Sequence, residues 1–355
     1  MQPKSINLAL QGGGAHGAFT WGVLDRLLDE DWLEIAAISG TSAGALNGAA
    51  LKAGLSGGKP GSGRRRSNPR HNAQAILNDL WGAIPAQTDK RLTNWMGSLF
   101  PVPHGMNRIF EAFGPTAWLD QMSRVYSPYD SGVFYSNPLA PIVEGIDLEA
   151  VLHSDGPALF VAATNVRSGK IRIFTGTEVT RDAILASACL PTVFQAVEID
   201  DPQTGETEAY WDGGFTGNPP LFPLFEPQYP SDILIVHINP LRRDGVPTTP
   251  VEIEDRVNEI SFNSSLLREL RAISFVHRLI ASGTMSKDAM KDVHVHLVGD
   301  DKTMNDLGAD TKILPDGDVM SRLKLAGQTA AEAFLSAHAN DLGARSTVDL
   351  KEMFS

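Results

Sequence analysis

The sequence predicts an α/β layer fold, and three observations carry that prediction. Ile6-Asn7-Leu8-Ala9-Leu10 alternates in character and stops at Gly12-Gly13-Gly14, as a strand ending in a tight turn does. Residues 17–30 then place Phe19, Val23, Leu24, Leu27 and Leu28 at helical spacing. A second apolar run, Ile35 to Ile38, enters Ser39-Gly40-Thr41-Ser42 and gives way to small residues over 43–54, which read as a buried helix. Strand, glycine turn, helix, strand, tight turn, helix is how a layered α/β domain begins.

Beyond that start, residues 56–70 (SGGKPGSGRRRSNPR) have the composition of a surface loop. Residues 72–145 read as short helical pieces broken by prolines. They carry Trp81, Trp95, Phe100, Phe110, Phe113, Trp118 and Tyr126, and are expected to cap the layer, the aromatics either filling a small core or meeting substrate. Strand signals return at 158–165, 171–174, 209–211 and 233–238. Residues 253–281 read as one long amphipathic helix, with Val257, Ile260, Leu267, Leu270, Ile273 and Leu279 on one side and Arg256, Arg268, Arg271 and Arg278 opposite. That apolar side is expected to pack on the domain; exposed, it would suit a homodimer or a membrane. A strand at 293–298 precedes a last helix at 318–341, closed by Gly343. The expected organisation is a single domain over 1–355, with a cap insert at about 72–145 and a C-terminal helical extension at about 250–355.

Composition narrows the classes of function. With 355 residues, 42% hydrophobic and 20% charged, the chain can bury a substantial core. Its formal charge of −12 argues against nucleic acid as a partner. The one basic cluster, Arg64-Arg65-Arg66 with Arg70 and His71, would instead meet anionic head groups at a membrane surface. A single cysteine, Cys189, excludes an intramolecular disulfide and fits a reducing compartment. The apolar stretch near the N-terminus is too short for a signal peptide, and no run approaches the ~20 apolar residues that cross a bilayer. A cytoplasmic protein, peripheral to membranes at most, is expected, with no cofactor and no metal.

Gly40-Thr41-Ser42-Ala43-Gly44 is a G-x-S-x-G pentapeptide between an expected strand and an expected helix, the setting of a nucleophile elbow. A serine there stands clear of the backbone at a helix N-terminus, where developing negative charge is favoured. Gly12-Gly13-Gly14-Ala15-His16-Gly17 follows the first strand, so its amides would lie beside the elbow and suit an oxyanion. This hexapeptide also matches G-x-G-x-x-G, but a dinucleotide site wants an acidic residue at the end of the second strand, where Ile38-Ser39-Gly40 stands. The base is less clear. His237, His277, His294, His296 and His338 fall in strand-like or helical runs, His237 before Asn239-Pro240 being the best placed. Asp212, in Tyr210-Trp211-Asp212-Gly213-Gly214, sits at a strand end in a tight turn, which is either a plain Asp-Gly turn or a held carboxylate.

In combination and order, GGGAHG at 12–17, GTSAG at 40–44, the segment Ala186-Ser187-Ala188-Cys189-Leu190-Pro191-Thr192-Val193-Phe194 and DGG at 212–214 resemble the patatin-like phospholipase family. The resemblance covers roughly residues 5–240. It implies a three-layer α/β/α fold and a Ser-Asp dyad without histidine, acting on a lipid or fatty-acyl ester. Carried over, Ser42 is the nucleophile, Asp212 its base, and Gly12, Gly13 and Gly14 the oxyanion amides. Where the family usually has Arg or Lys, this chain has His16, a substrate-binding position that would be charged only part of the time near neutrality. Two other readings remain: a Ser-His-Asp esterase on small soluble esters, and a binding protein that keeps the fold without catalysis.

Overall fold

The computed structural model describes residues 2–57, 68–99, 127–243, 245–286, 289–307 and 317–354, with side chains omitted over 85–99. The tri-arginine cluster, Phe100 to Trp118 and Tyr126 lie outside the described residues, and so does the side chain of Trp95.

Eight strands among the described residues form one sheet: β1 (Lys4–Leu10), β2 (Leu33–Thr41), β3 (Ala158–Asn165), β4 (Ile171–Thr175), β5 (Val197–Asp201), β6 (Glu206–Asp212), β7 (Asp232–His237) and β8 (His294–Gly299). The order is β5-β6-β3-β2-β1-β7-β8, with β4 also on β3. Pairs within β3-β2-β1-β7-β8 are parallel; β4, β5 and β6 pair antiparallel. β1 is therefore the switch point, with β2 and β3 laid down to one side and β7 and β8 to the other. Loops leaving the strands' C-terminal ends beside such a point border the crevice that α/β sheets use for ligands.

The parallel strands are buried on both faces. Along β1, Ile6, Leu8 and Leu10 face one core while Ala9 faces another, and β7 divides Leu234 and Val236 from Ile233 and Ile235 in the same way. The first face is covered by α1 (Gly17–Leu27), α2 (Ala43–Leu55), α3 (Pro69–Leu99), α4 (Arg181–Ser187) and α6 (Gly317–His338). The second is covered by α5 (Pro250–Ala281), through Leu266, Leu270 and Ile273, with Leu221, Leu224 and Leu350. The result is a three-layer α/β/α architecture.

Two expectations change. The first turns of the expected cap belong to the helical layer: α3 runs beside α2, and Trp81 is buried, donating to Asn47 Oδ1 at 2.9 Å and stacking on Trp21. The long helix also faces differently from its expected sidedness at its N-terminal half. It starts at a capping box in which Thr249 Oγ1 accepts from the Glu252 amide and the Glu252 carboxylate accepts from the Thr249 amide, with Pro250 at the first helical position. Arg256 then turns inward to the carbonyls of Pro240 and Leu241 and to buried Glu259, which also holds Arg243. Val257 and Ile260 are consequently exposed. Between β7 and the C-terminus, β8 completes the sheet, so residues 250–355 contribute a helix to each outer layer and one strand.

α1 and α6 approach so closely that Gly22 lies on the Lys324 carbonyl and Gly327 on the Phe19 carbonyl, with no room for a Cβ at either. Gly327→Ala should therefore cost about 1–3 kcal/mol by overpacking, seen as a lower thermal midpoint; an unchanged midpoint would contradict this packing.

Candidate active site

The site is assembled on one edge of β3. Ala162 pairs with Thr41 of β2 and with Ile173 of β4; the next residue, Ala163, pairs with Arg172 of β4 and with Asp212 of β6. A strand has two edges, so β4 takes one, and β2 and β6 share the other end to end. β6 runs antiparallel, which brings the C-terminal ends of β2 and β6 head to head. Ser42 follows one and Asp212 ends the other. A Cβ on Gly213 would overlap the Ala162 carbonyl and stand 3.0 Å from Thr41 Cγ2, so glycine lets the two ends touch.

Ser42 lies between β2 and α2 at φ 55°, ψ −123°, the one non-glycine residue with positive φ among those described. Such a conformation costs about 1–3 kcal/mol and persists only where the surroundings impose it. They do so by close packing: a Cβ on Gly44 would overlap the Leu10 carbonyl, and one on Gly40 would approach the Gly44 carbonyl to 2.5 Å. The Ser42 amide is held by Ser187 Oγ at 2.9 Å. Its carbonyl accepts from Ala45 and Leu46, leaving the Ala43 and Gly44 amides at the open end of α2.

Asp212 is wholly buried. Its Oδ1 accepts from the Gly214 amide at 2.7 Å, its own amide donates to the Cys189 carbonyl at 2.8 Å, and its carbonyl accepts from Thr164 Oγ1 at 2.8 Å. Residues 187–189 thus fasten both Ser42 and Asp212. Burial lifts the Asp212 carboxyl to about 7, opposed in part by the Gly214 amide and by the Ser42 hydroxyl. Asp212 Oδ2 is buried with no hydrogen-bond partner among the described residues. Contacts between a base and its nucleophile commonly tighten only around a substrate. At the end of β5, Asp201 binds Arg172 Nε and Nη2 of β4 at 2.8 Å each and accepts from the hydroxyl of Tyr210, two residues before Asp212 on β6, pinning β4, β5 and β6 together.

The glycine loop lies on the serine: a Cβ on Gly12 would be 2.6 Å from Ser42 Cβ and 2.8 Å from the Thr41 carbonyl. The Gly12 amide, expected as an oxyanion donor, is already committed to Asn218 Oδ1 at 2.6 Å. The Gly13 and Gly14 amides have no acceptor among the described residues. His16 is buried at the start of α1, not displayed at the surface.

These residues can now be set beside known proteins. The profile of the family described as patatin-like phospholipase matches residues 8–225, more than half of the chain. The chain belongs to that family. No curated protein matches by sequence. Solved structures that resemble this patatin-like chain include VipD and ExoU. VipD from Legionella pneumophila shows 15% identity, covering 95% of this chain and 67% of VipD, with a TM-score of 0.39. The type III effector protein ExoU shows 14% identity, covering 97% of this chain and 54% of ExoU, with a TM-score of 0.34. This chain thus spans about half the length of ExoU, and at these scores neither likeness bears on the site.

In this patatin-like chain no histidine downstream of Asp212 contacts the serine. His237 is buried, pushed down to about 4, with Asp301 Oδ1 at 3.8 Å. His277 meets the Val293 carbonyl, His294 and His296 meet Asp232, and His338 meets Asp341. Among the described residues no group of metal-ligating side chains is suited to an ion, and no helix is long and apolar enough to cross a membrane. Residues that sequence reasoning missed are the supports: Gln11, Asn218 and Asn263, together with the role of Ser187, which was visible only as part of a motif. Asn-Pro at 218–219 and 239–240 was the available signal.

Ser187→Ala removes the acceptor of a buried amide in a strained residue, a loss of about 1–3 kcal/mol. Phosphonylation of Ser42 by a fluorophosphonate should slow in this variant, and an unchanged labelling rate would show that Ser187 does not hold the elbow.

Proposed function

We propose that this chain is a lipid acyl hydrolase in which Ser42 attacks the carbonyl carbon of a fatty-acyl ester while Asp212 takes the serine proton. The observation that carries this reading is a buried carboxyl, raised to about 7, at the hydroxyl of a serine in a strand-to-helix elbow. A base works best when its pKa lies near the working pH, and an ordinary aspartate at 3.8 is too weak. Burial supplies the difference, so no histidine is required.

In the first step the Ser42 Oγ–carbon bond forms, the carbonyl π pair moves to oxygen, and the Oγ proton passes to Asp212. Amides at Gly13 and Gly14, with the open end of α2, stabilise the oxyanion. Collapse breaks the ester C–O bond, the leaving alcohol takes the proton from Asp212, and an acyl-enzyme remains on Ser42. Water then attacks that acyl carbon, gives its proton to Asp212, and the fatty acid leaves as the proton returns to Ser42 Oγ. Membership of the patatin-like family supports a lipid ester as the substrate class.

The direct test is turnover of phospholipids, lysophospholipids, acylglycerols and short nitrophenyl esters, with Ser42→Ala as control. Acyl ester hydrolysis should be lost in Ser42→Ala; residual hydrolysis at the wild-type rate would end the proposal. Asp212→Asn should lower kcat by about 10²–10⁴-fold and yet raise stability. The sign follows from the raised pKa: ionising Asp212 in the fold is unfavourable, so its stabilising contribution, complete below the unfolded value of 3.8, is lost as pH rises through about 7. The asparagine variant should therefore melt higher than wild type at pH 8, and that gain should vanish near pH 4. A variant inactive because it is misfolded would melt lower. For the wild type, kcat/KM should fall about tenfold per pH unit below about 7 and level off above it. A flat profile from pH 5 to 8 would exclude Asp212 as the base.

A further inference from the structure

Behind the glycine loop stands a buried cluster of amide side chains that takes no part in the chemistry above. Gln11, Asn218, Asn239 and Asn263 are all inaccessible. Their donor and acceptor atoms are fixed by backbone groups and by one another. Gln11 Oε1 accepts the amides of Ile238 and Asn239, while Gln11 Nε2 donates to the Asn218 carbonyl and to Asn263 Oδ1. Asn263 Nδ2 donates to the Asn239 carbonyl. Two of these side chains converge on Gly12: its amide donates to Asn218 Oδ1 at 2.6 Å, and its carbonyl accepts from Asn239 Nδ2 at 2.8 Å and Asn218 Nδ2 at 3.3 Å.

A trans peptide is planar, and its C=O and following N–H point in opposite directions. Gripping the Gly12 carbonyl therefore dictates the direction of the Gly13 amide, which must point away from the two asparagines. That amide has no acceptor among the described residues, and its loop rests on Ser42. We infer that Asn218 and Asn239 are positioning residues that aim the Gly13 amide, through the Gly12 carbonyl, at the oxyanion formed when Ser42 attacks. The inference rests on Ser42 being the nucleophile. The peptides on both sides of the Gly12 Cα are gripped, the one before through its N–H and the one after through its C=O. This resists rotation of the second, so the donor is in place before charge develops and no reorganisation is needed when it does. Asn218 lies six residues after Asp212, so one short segment registers both the base and the oxyanion donor against the serine.

The test uses Asn218→Asp and Asn239→Ala. The first keeps an acceptor for the Gly12 amide but replaces the Nδ2 donor by an oxygen facing the Gly12 carbonyl; the second removes the closer donor. Each should lower kcat about tenfold to a hundredfold, part of the cost of losing an oxyanion donor, with KM unchanged within about twofold. Affinity for a fatty-acyl trifluoromethyl ketone, which forms a tetrahedral adduct on serine, should fall by the same factor as kcat/KM. Affinity for a long-chain alcohol, which forms none, should not move. Folded variants with wild-type kcat and ketone affinity, or with both ligands weakened alike, overturn the inference. Should either variant fail to fold, the wild-type protein decides. With ¹⁵N-glycine label, the ketone adduct should move the Gly13 amide proton downfield and leave Gly12 in place; a moving Gly12 or a still Gly13 refutes the aim. A wild type that hydrolyses no acyl ester and takes no fluorophosphonate on Ser42 overturns both this inference and the function beneath it, whereas an active wild type with equally active variants overturns the clamp alone.

Discussion

β2 and β6 divide a single edge of β3 between them, and the place where they abut is what the rest of the site depends on. Thr41 and Asp212 pair with consecutive β3 residues, so the serine and the carboxylate are set by strand register, not by loop conformation. A register slip of one residue in either strand would turn Asp212 or the approach to Ser42 to the opposite face of the sheet. Several contacts resist such a slip. Ser39 and Thr41 donate from β2 to the carbonyls of Pro220 and Gly217, and the Arg172–Asp201–Tyr210 cluster ties β6, two residues before Asp212, to β4 and β5. The close approach is possible because Gly213 has no side chain.

The electrostatics of the site follow from that abutment. Asp212 is buried where the strands meet, and the rise in its pKa from 3.8 to about 7 represents on the order of 4 kcal/mol against its ionised form. No charged side chain contributes to the shift; burial sets it, and one amide and one hydroxyl oppose it. Buried ion pairs among the described residues stand elsewhere, such as Arg172 with Asp201 and Glu178, and Arg243 and Arg256 with Glu259. A cation beside Asp212 would have pulled its pKa down and removed its basicity. The Phe262 ring packs directly on Gly214, and a Cβ at Gly214 would collide with that ring. The Asp212 carboxyl holds its proton more tightly than an ordinary aspartate because its neighbours are apolar or neutral.

How far the sequence could be read depended on whether a feature has a local cause. The β1 and β2 strands, the glycine loop, the Ser42 elbow and α2 follow from alternation, glycine placement and a helix-forming run within 50 residues, and the structure reproduces them closely. Asp212 was recognisable as a strand-end carboxylate, but its burial depends on β3, α5 and Cys189, which are remote in sequence. α5 shows the limit most clearly. Its apolar residues have helical spacing, yet Val257 and Ile260 face outward because Arg256 and Glu259 turn inward to form an ionic knot with Arg243. Periodicity reports which residues share a side, whereas partner geometry decides which side is inside. Trp81 was placed in the cap by its proline-rich surroundings and proves to be core, because α3 lies directly on α2. Asn218 and Gln11 were unreadable for a related reason: a polar residue shows its burial only through its partners.

That same neutrality explains the chemistry of the clamp behind the loop. An ionic clamp on the Gly12 peptide would have held it as firmly, since charge-assisted hydrogen bonds are the stronger kind. It would also have placed a net charge near the Ser42–Asp212 pair at low dielectric, where its influence on the carboxyl is greatest. Asparagine and glutamine supply both donors and acceptors with no net charge, so they can grip the N–H and C=O of one residue, and with them the two peptides that flank it. The demand on them is complete satisfaction, because a half-paired amide in this interior is costly. Gln11 meets it through four partners on three segments, which makes the glycine loop, the end of β7 and α5 one rigid support. Rigidity there and strain at Ser42 are two sides of one arrangement: the elbow stays in its unfavourable conformation because nothing around it can yield.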